Sequence, residues 1–412
     1  MIFFNIFLFN IYIILTVSSF SVMYLDKKDL KKSYDNNIVL SKRQINNKEF
    51  HNLEIKNELV RRDKRQFILK QHNLYKNKIP IVLGNHIYRE LVIKALMAIQ
   101  VETCLQFRLV SSLREATSGI NFYNGKGCND QFMDTIFFKW QNISLNERCH
   151  SPGSIYQQIF RTLGMIFEHQ RKCRDHYIIL IKHNWMLFKD TYFQLIRHNK
   201  MDDFSYPYDY GSVMQNNWKF FSNGNGKTML PTSELYTKTI GQNEYPSFLD
   251  FKRLNNFYCS TKCRKKVECK NGGYLNPNNC IKCKCIYGFY GSFCEKFQRP
   301  SRICVRTQFE AKFYAETLTN SGIKECAYQI IAPTGRHIAI RVLAVKIYPE
   351  LVTTCSPFNT LEIKYWRDKT ATGVRLCGVT SSINIVTRDN FALLYFRSLK
   401  ANNMFYLQYK VL

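Results

Sequence analysis

Fifteen cysteines in 412 residues constrain this chain more than any other feature. Reducing compartments keep thiols open, so this density without metal clusters implies an oxidising, extracellular route. The cysteines fall into groups. Cys104, Cys128, Cys149, Cys173 and Cys259 are widely spread. Six are crowded between Cys263 and Cys294, ending C-x-C-x8-C with Gly288 and Gly291 in the last interval. Two wide intervals follow, Cys304 to Cys326 and Cys355 to Cys377. A chain this long has room for two to four domains, and the grouping divides it accordingly.

Before the cysteines come two segments of another kind. Met1 to Val22 is apolar and uncharged and ends in small and polar residues, which reads as a signal peptide over 1–22. An uncleaved anchor is the alternative, since the run is long enough to span a bilayer. No second run of that kind follows, so no transmembrane segment is expected after its removal. Residues 23–65 are polar, lysine-rich and free of glycine. They end Arg62-Asp63-Lys64-Arg65, which reads as a propeptide cut after Arg65 to free Gln66. The formal charge is +28, and residues 24–65 hold 12 Lys/Arg against 7 Asp/Glu, so their removal leaves +23. That charge suits anionic partners such as glycans; drift towards Lys, Asn, Ile, Phe and Tyr accounts for it equally well. Neither an Arg-Gly-Phe nor a zinc-knuckle pattern is present, and a secreted route argues against nucleic acid.

The stretch 153–177, GSIYQQIFRTLGMIFEHQRKCRDHY, carries the functional question. Its frame, Leu163-Gly164, Glu168, Arg171, Arg174-Asp175 and Tyr177, resembles the astacin family of secreted zinc metalloendopeptidases (metzincins), whose motif is H-E-x-x-H-x-x-G-x-x-H. In that family two histidines four apart share a helix face, and a glycine turns the chain back to bring in the third. Three protein ligands leave zinc one place for water, and a glutamate takes the water's proton. Here the ligand positions are Gln157, Arg161 and Phe167, and the general-base position is Gln158. An amide oxygen is a weak zinc ligand, a guanidinium repels the ion, and a phenyl ring has no lone pair. None of the nine histidines forms a substitute pair. His169 and His176 read as solvated or hydrogen-bonded loop residues. Arg161, facing the emptied site, is expected either to find Glu168 or Asp175 or to snorkel to the open cleft and meet water.

The resemblance extends beyond this helix. Tyr206 to Met214, YPYDYGSVM, is similar to the family's Met-turn, with Met214 as the methionine beneath the metal. The His-Tyr that follows in the family is here Gln215-Asn216, so the tyrosine position is Asn216. Thr239-Ile240-Gly241-Gln242 also matches. Gly164, Glu168 and Met214 are thus scaffold of a former site. The resemblance implies that the new amino terminus reaches towards Glu168, and that Cys104–Cys259 and Cys128–Cys149 pair. Residues 261–296 look like an EGF-like module, whose usual order gives Cys263–Cys280, Cys269–Cys283 and Cys285–Cys294. Residues 304–412 look like a CUB domain with Cys304–Cys326 and Cys355–Cys377. Cys173 is left over, either free or linking two chains into a dimer. The calcium aspartate of such domains is replaced by Asn359, and no acidic residue directly precedes Cys263, which argues against calcium in both modules. Asn142-Ile143-Ser144 is an N-glycosylation sequon.

The expected fold is α+β: an astacin-like peptidase domain over 66–260, then the disulfide-rich EGF-like module, then an all-β CUB sandwich. Helices are expected at 87–102, 154–166 and 246–258, the last opened by Ser247, with strands near 105–110, 119–123 and 134–140. The expected function is that of a secreted, catalytically inactive homologue that binds extracellular proteins, peptides or anionic glycans, with no cofactor. The alternatives are an active zinc metalloendopeptidase with a rearranged site, in which case zinc is required, and a structural matrix or cuticle component.

Overall fold

The computed structural model describes residues 78–130, 140–149, 151–196, 206–265 and 267–412. The signal-peptide and propeptide segments, Arg65 and Gln66 lie outside the described residues. No helix among the described residues is long and apolar enough to cross a membrane.

The first part is a sheet flanked by helices. Strands β1 (Ile79–Leu83), β2 (Phe107–Val110), β3 (Gly119–Tyr123), β4 (Cys128–Asp130) and β5 (Trp140–Leu145) run in the order β2-β1-β3-β5-β4. All neighbours are parallel except β4, which lies antiparallel to β5 at the edge. Of the strand expected near 134–140, only Trp140, where β5 is described to begin, can be placed, because residues 131–139 lie outside the described set. Helix α1 (Arg89–Glu102) buries Val92, Ala95, Leu96 and Ile99, the 3.6-residue stripe that its sequence carries.

Helix α2 (Pro152–Thr162) opens with Ser151, whose hydroxyl accepts from Ser154 N at 3.3 Å, and with Pro152 in the first turn. It ends four residues short of the expected 166. Gly164 takes φ +94°, its N–H bonding to Arg161 O and that of Met165 to Phe160 O, both at 2.9 Å. This left-handed stop satisfies the last carbonyls and turns the chain back. Helix α3 (Phe248–Tyr258) is opened by a reciprocal cap between Ser247 and Asp250. Ile81, Ile120, Phe122, Ile159, Phe160, Leu163, Met214 and Leu254 form the core among these elements.

Disulfides Cys104–Cys259 and Cys128–Cys149 tie this part together. Three more, Cys263–Cys280, Cys269–Cys283 and Cys285–Cys294, hold a short segment of two-stranded ribbons. That segment docks on α1: Asn278 Nδ2 donates to Gln100 O at 2.9 Å and Thr103 O at 3.1 Å, covering carbonyls that the helix end leaves open. Tyr274 OH and Lys284 Nζ both bond Glu102, at 3.0 and 3.1 Å.

Residues 308–411 form two packed sheets of mostly antiparallel strands, fastened by Cys304–Cys326 and Cys355–Cys377. Asn359 is structural there: its Oδ1 accepts from Leu399 N at 3.1 Å and from Asn403 Nδ2 at 2.9 Å. The sandwich is not a loose appendage. Tyr208, Tyr210, Tyr236 and Ile240 share one apolar cluster with its core. Thr372 N donates to Asp209 Oδ1 at 3.1 Å and Arg375 N to Thr239 Oγ1 at 2.9 Å. Gly211 faces Thr372 so closely that a Cβ there would lie 2.4 Å from its methyl carbon. The α+β reading holds, with all three parts in contact.

Candidate functional site

The site lies where α2, the turn after Gly164 and the 206–216 segment meet. Gln157 and Arg161 sit one helical turn apart on one face of α2. Gln157 Nε2 donates to Val213 O at 3.0 Å and to Asn216 Oδ1 at 3.1 Å. The residues at the first ligand position and the tyrosine position are thus bonded to each other. Gln158 is buried. Arg161 is 6% exposed, and its guanidinium carbon lies 4.2 Å from the centroid of the Phe167 ring. A cation over an aromatic face is attractive when both are desolvated, so the second and third ligand positions are stacked on one another.

The expected counter-ions of Arg161 are committed elsewhere. Glu168 is fully buried, accepting from Arg171 Nη1 at 3.1 Å, from Arg253 Nη1, and from Asp209 N at 3.1 Å. Burial opposes its ionisation, but the Arg253 and Arg171 guanidiniums and these hydrogen bonds prevail and hold its carboxyl below the ordinary value. Asp175 pairs with Arg174 at 3.1 Å. Glu168 therefore has two internal cations, Arg171 and Arg253; the expected approach of Gln66 lies outside the described residues.

His169, expected in a loop as a solvated or hydrogen-bonded residue, is fully buried and hydrogen-bonded. Its Nε2–H donates to Tyr192 O at 3.1 Å, since a carbonyl can only accept. The ring stacks on Phe167 at 5.1 Å with planes 15° apart, and Phe193 and Phe220 close around it. Burial, then the positive charges of Arg174 and Arg161, press its pKa down to about 3, against the Tyr192 carbonyl and Glu168. His176 is exposed, with Nδ1 3.2 Å from Cys173 O. Cys173 lies outside the seven disulfides and is half-buried.

Beneath this layer the scaffold is knit by side chains whose roles the sequence did not disclose. Met214 is fully buried; its carbonyl accepts from Glu168 N at 3.0 Å, joining the 206–216 segment to the turn after Gly164. Asp250 accepts from Ser212 Oγ at 2.5 Å, Val213 N at 3.0 Å and Ser247 N at 2.9 Å. Burial and the nearby Asp209 push its pKa up to about 6 despite these bonds. Asp250 is visible in the sequence as the third residue after a cap serine, the one signal that marks it for a second role.

Zinc fits this donor set poorly. The three positions offer an amide bonded through Nε2, a guanidinium and a phenyl ring. No group of three His, Cys, Asp or Glu among the described residues could hold a metal ion.

Residues 68–259 match the family model described as Astacin, a peptidase family. The chain is 32% identical over 296 residues to zinc metalloproteinase nas-34 of Caenorhabditis elegans, covering 71% of this chain and 48% of that protein. It is 29% identical over 388 residues to zinc metalloproteinase nas-36 of Haemonchus contortus, covering 90% and 62%. It thus spans about half the length of these curated relatives, from 48% to 62%. Among solved structures it is similar to high choriolytic enzyme 1, a hatching enzyme zinc-protease from the medaka fish Oryzias latipes. The identity is 23%, covering 44% of this chain and 88% of that one, with a TM-score of 0.38.

Proposed function

We propose, from the match of residues 68–259 to the astacin family model, that the chain binds peptides without cutting them. The observation that carries this reading is the Arg161–Phe167 stack, 4.2 Å apart, at two of the three ligand positions. Metal-assisted hydrolysis needs a Lewis acid and a base beside it. A guanidinium over a phenyl ring supplies neither, and Gln158 cannot accept a proton. What remains for a peptide is the sheet edge: β4 pairs only with β5 among the described residues, and an extended peptide can add there as a further strand.

The surrounding features belong to the same proposal. The protein is secreted after loss of residues 1–22, is processed at Arg65, and can carry a glycan at Asn142. Its EGF-like and CUB modules present it to extracellular proteins or anionic glycans, and Cys173 offers a link between two chains. The names of the relatives point to zinc-dependent proteolysis; the donor set turns this chain from that chemistry to recognition.

Elemental analysis of purified protein tests the reading. The expected result is no stoichiometric zinc, no hydrolysis of generic peptides, and a thermal midpoint unmoved by EDTA. About one tightly held zinc per chain, with chelator-sensitive hydrolysis, would overturn it.

A further inference from the structure

The loop over residues 185–192 ends in an apolar tip that the peptide-binding site does not use. Leu187 is 81% exposed and Phe188 91% exposed, the highest values among the described large apolar side chains of residues 78–265. Single exposed apolar residues are ordinary. Two in succession at the apex of a turn are not, and Phe188 holds φ +60°, a conformation that aromatic residues rarely adopt. The tip is rigidly founded. Lys189 N bonds Met186 O at 3.3 Å and Met186 N bonds Phe221 O at 2.8 Å. Trp185 bridges to Ser222 and stacks on Phe193 at 4.1 Å.

Lysines surround this foundation. Lys189 Nζ lies 5.0 Å from the Phe221 ring and 5.4 Å from Tyr192. Lys219 and Lys227 each lie 5.1 Å from the Trp218 ring, on the segment laced to the tip by the Asn223–Asn184 and Asn184–Lys227 hydrogen bonds. Lys182 is exposed beside them. Within 182–196 and 217–228 the one carboxylate is Asp190.

We propose that Leu187 and Phe188 insert into an anionic phospholipid surface while Lys182, Lys189, Lys219 and Lys227 meet its head groups. An apolar tip gains by entering the acyl boundary, and each nearby lysine adds attraction to anionic lipid. A sulfated glycan satisfies the lysines but leaves Leu187 and Phe188 nothing to enter. The combination, rather than the charge alone, selects a bilayer.

The test uses the full chain with vesicles of phosphatidylcholine, alone or mixed with phosphatidylserine. The indole of a Phe188→Trp variant should shift to the blue and be quenched by brominated lipid only when phosphatidylserine is present. This readout is local to the tip and insensitive to residues 1–22. Leu187→Ser and Phe188→Ser should each weaken cosedimentation about tenfold, and Lys189→Gln about fivefold, with unchanged circular dichroism because the replaced side chains are at the surface. An indole that stays water-exposed on phosphatidylserine vesicles overturns the proposal. So does binding that survives both serine substitutions. Retention on heparin without vesicle binding would assign the surface to a glycan instead.

Discussion

Two layers of one site have diverged. The layer that would face a substrate, Gln157, Gln158, Arg161, Phe167 and Asn216, has none of the chemistry of the peptidase family whose model residues 68–259 match. The layer beneath, Glu168 with Arg171 and Arg253, Met214, and Asp250 with Ser212, is a closed set of buried charges and hydrogen bonds. Removing one member of a buried ion pair strands a charge, which costs several kcal/mol. Changing half-buried Gln157 breaks two hydrogen bonds but strands no charge, so it costs far less. Stability therefore guards the ion-paired lower layer more strictly than the first ligand position.

The sharpest way to break that comparison is to rebuild the upper layer on the lower. Gln157→His, Arg161→His and Phe167→His, with Gln158→Glu and Asn216→Tyr, restore three ligands, a base and a phenol. If the scaffold has kept its geometry, the rebuilt protein should hold about one zinc through dialysis. Its thermal midpoint should then rise with free zinc by the equivalent of about 4 kcal/mol at a thousandfold excess over Kd. A folded variant that holds no zinc would show that the Arg161–Phe167 stack has moved the backbone too.

Next in size is a direct comparison of the layers. Glu168→Gln leaves Arg171 and Arg253 buried against a neutral amide. It should lower stability by about 3–5 kcal/mol, read in thermal melting as a fall of roughly 6 °C or more. Gln157→Ala removes two hydrogen bonds from a half-buried side chain and should cost about 1 kcal/mol. Equal losses would refute the division into layers.

What the sequence disclosed follows the same division. Cysteine spacing, the Gly164 stop and the Met-turn are local patterns, and they marked the α+β architecture and the missing ligands. The partners of Glu168 were not legible. Arg253 lies 85 residues away on α3, within a segment that reads only as a capped amphipathic helix. Nothing local says which way its guanidinium points, so Glu168 looked available to Arg161. The docking of the sandwich on Asp209 was equally hidden, since Thr372 contributes a backbone N–H that any residue but proline has. The helix ending at Thr162 rather than 166 is a boundary error in which periodicity ran past a glycine that takes positive φ.

The smallest effect belongs to His169, where the layers touch. Its folded pKa is about 3 against an ordinary 6.5, so below pH 6.5 the unfolded chain binds more protons than the folded one. Its contribution is fully present above that value and is lost as pH falls through the window, by about 1.4 kcal/mol per unit. Asp250 acts oppositely. Its carboxyl is raised to about 6 from 3.8, so the folded chain holds the extra proton between those values and gains stability on acidification. In the wild type the two slopes largely offset one another between about pH 4 and 6. His169→Phe keeps the stack with Phe167, Phe193 and Phe220 but removes one titration. At pH 7 the variant should be less stable by about 1 kcal/mol, since Tyr192 O loses its donor. Near pH 5 the order should invert, with the variant the more stable. Urea unfolding of both proteins from pH 4.5 to 7.5 reads the difference directly. A gap independent of pH would mean that His169 titrates normally and that the aromatic box around it opens to water.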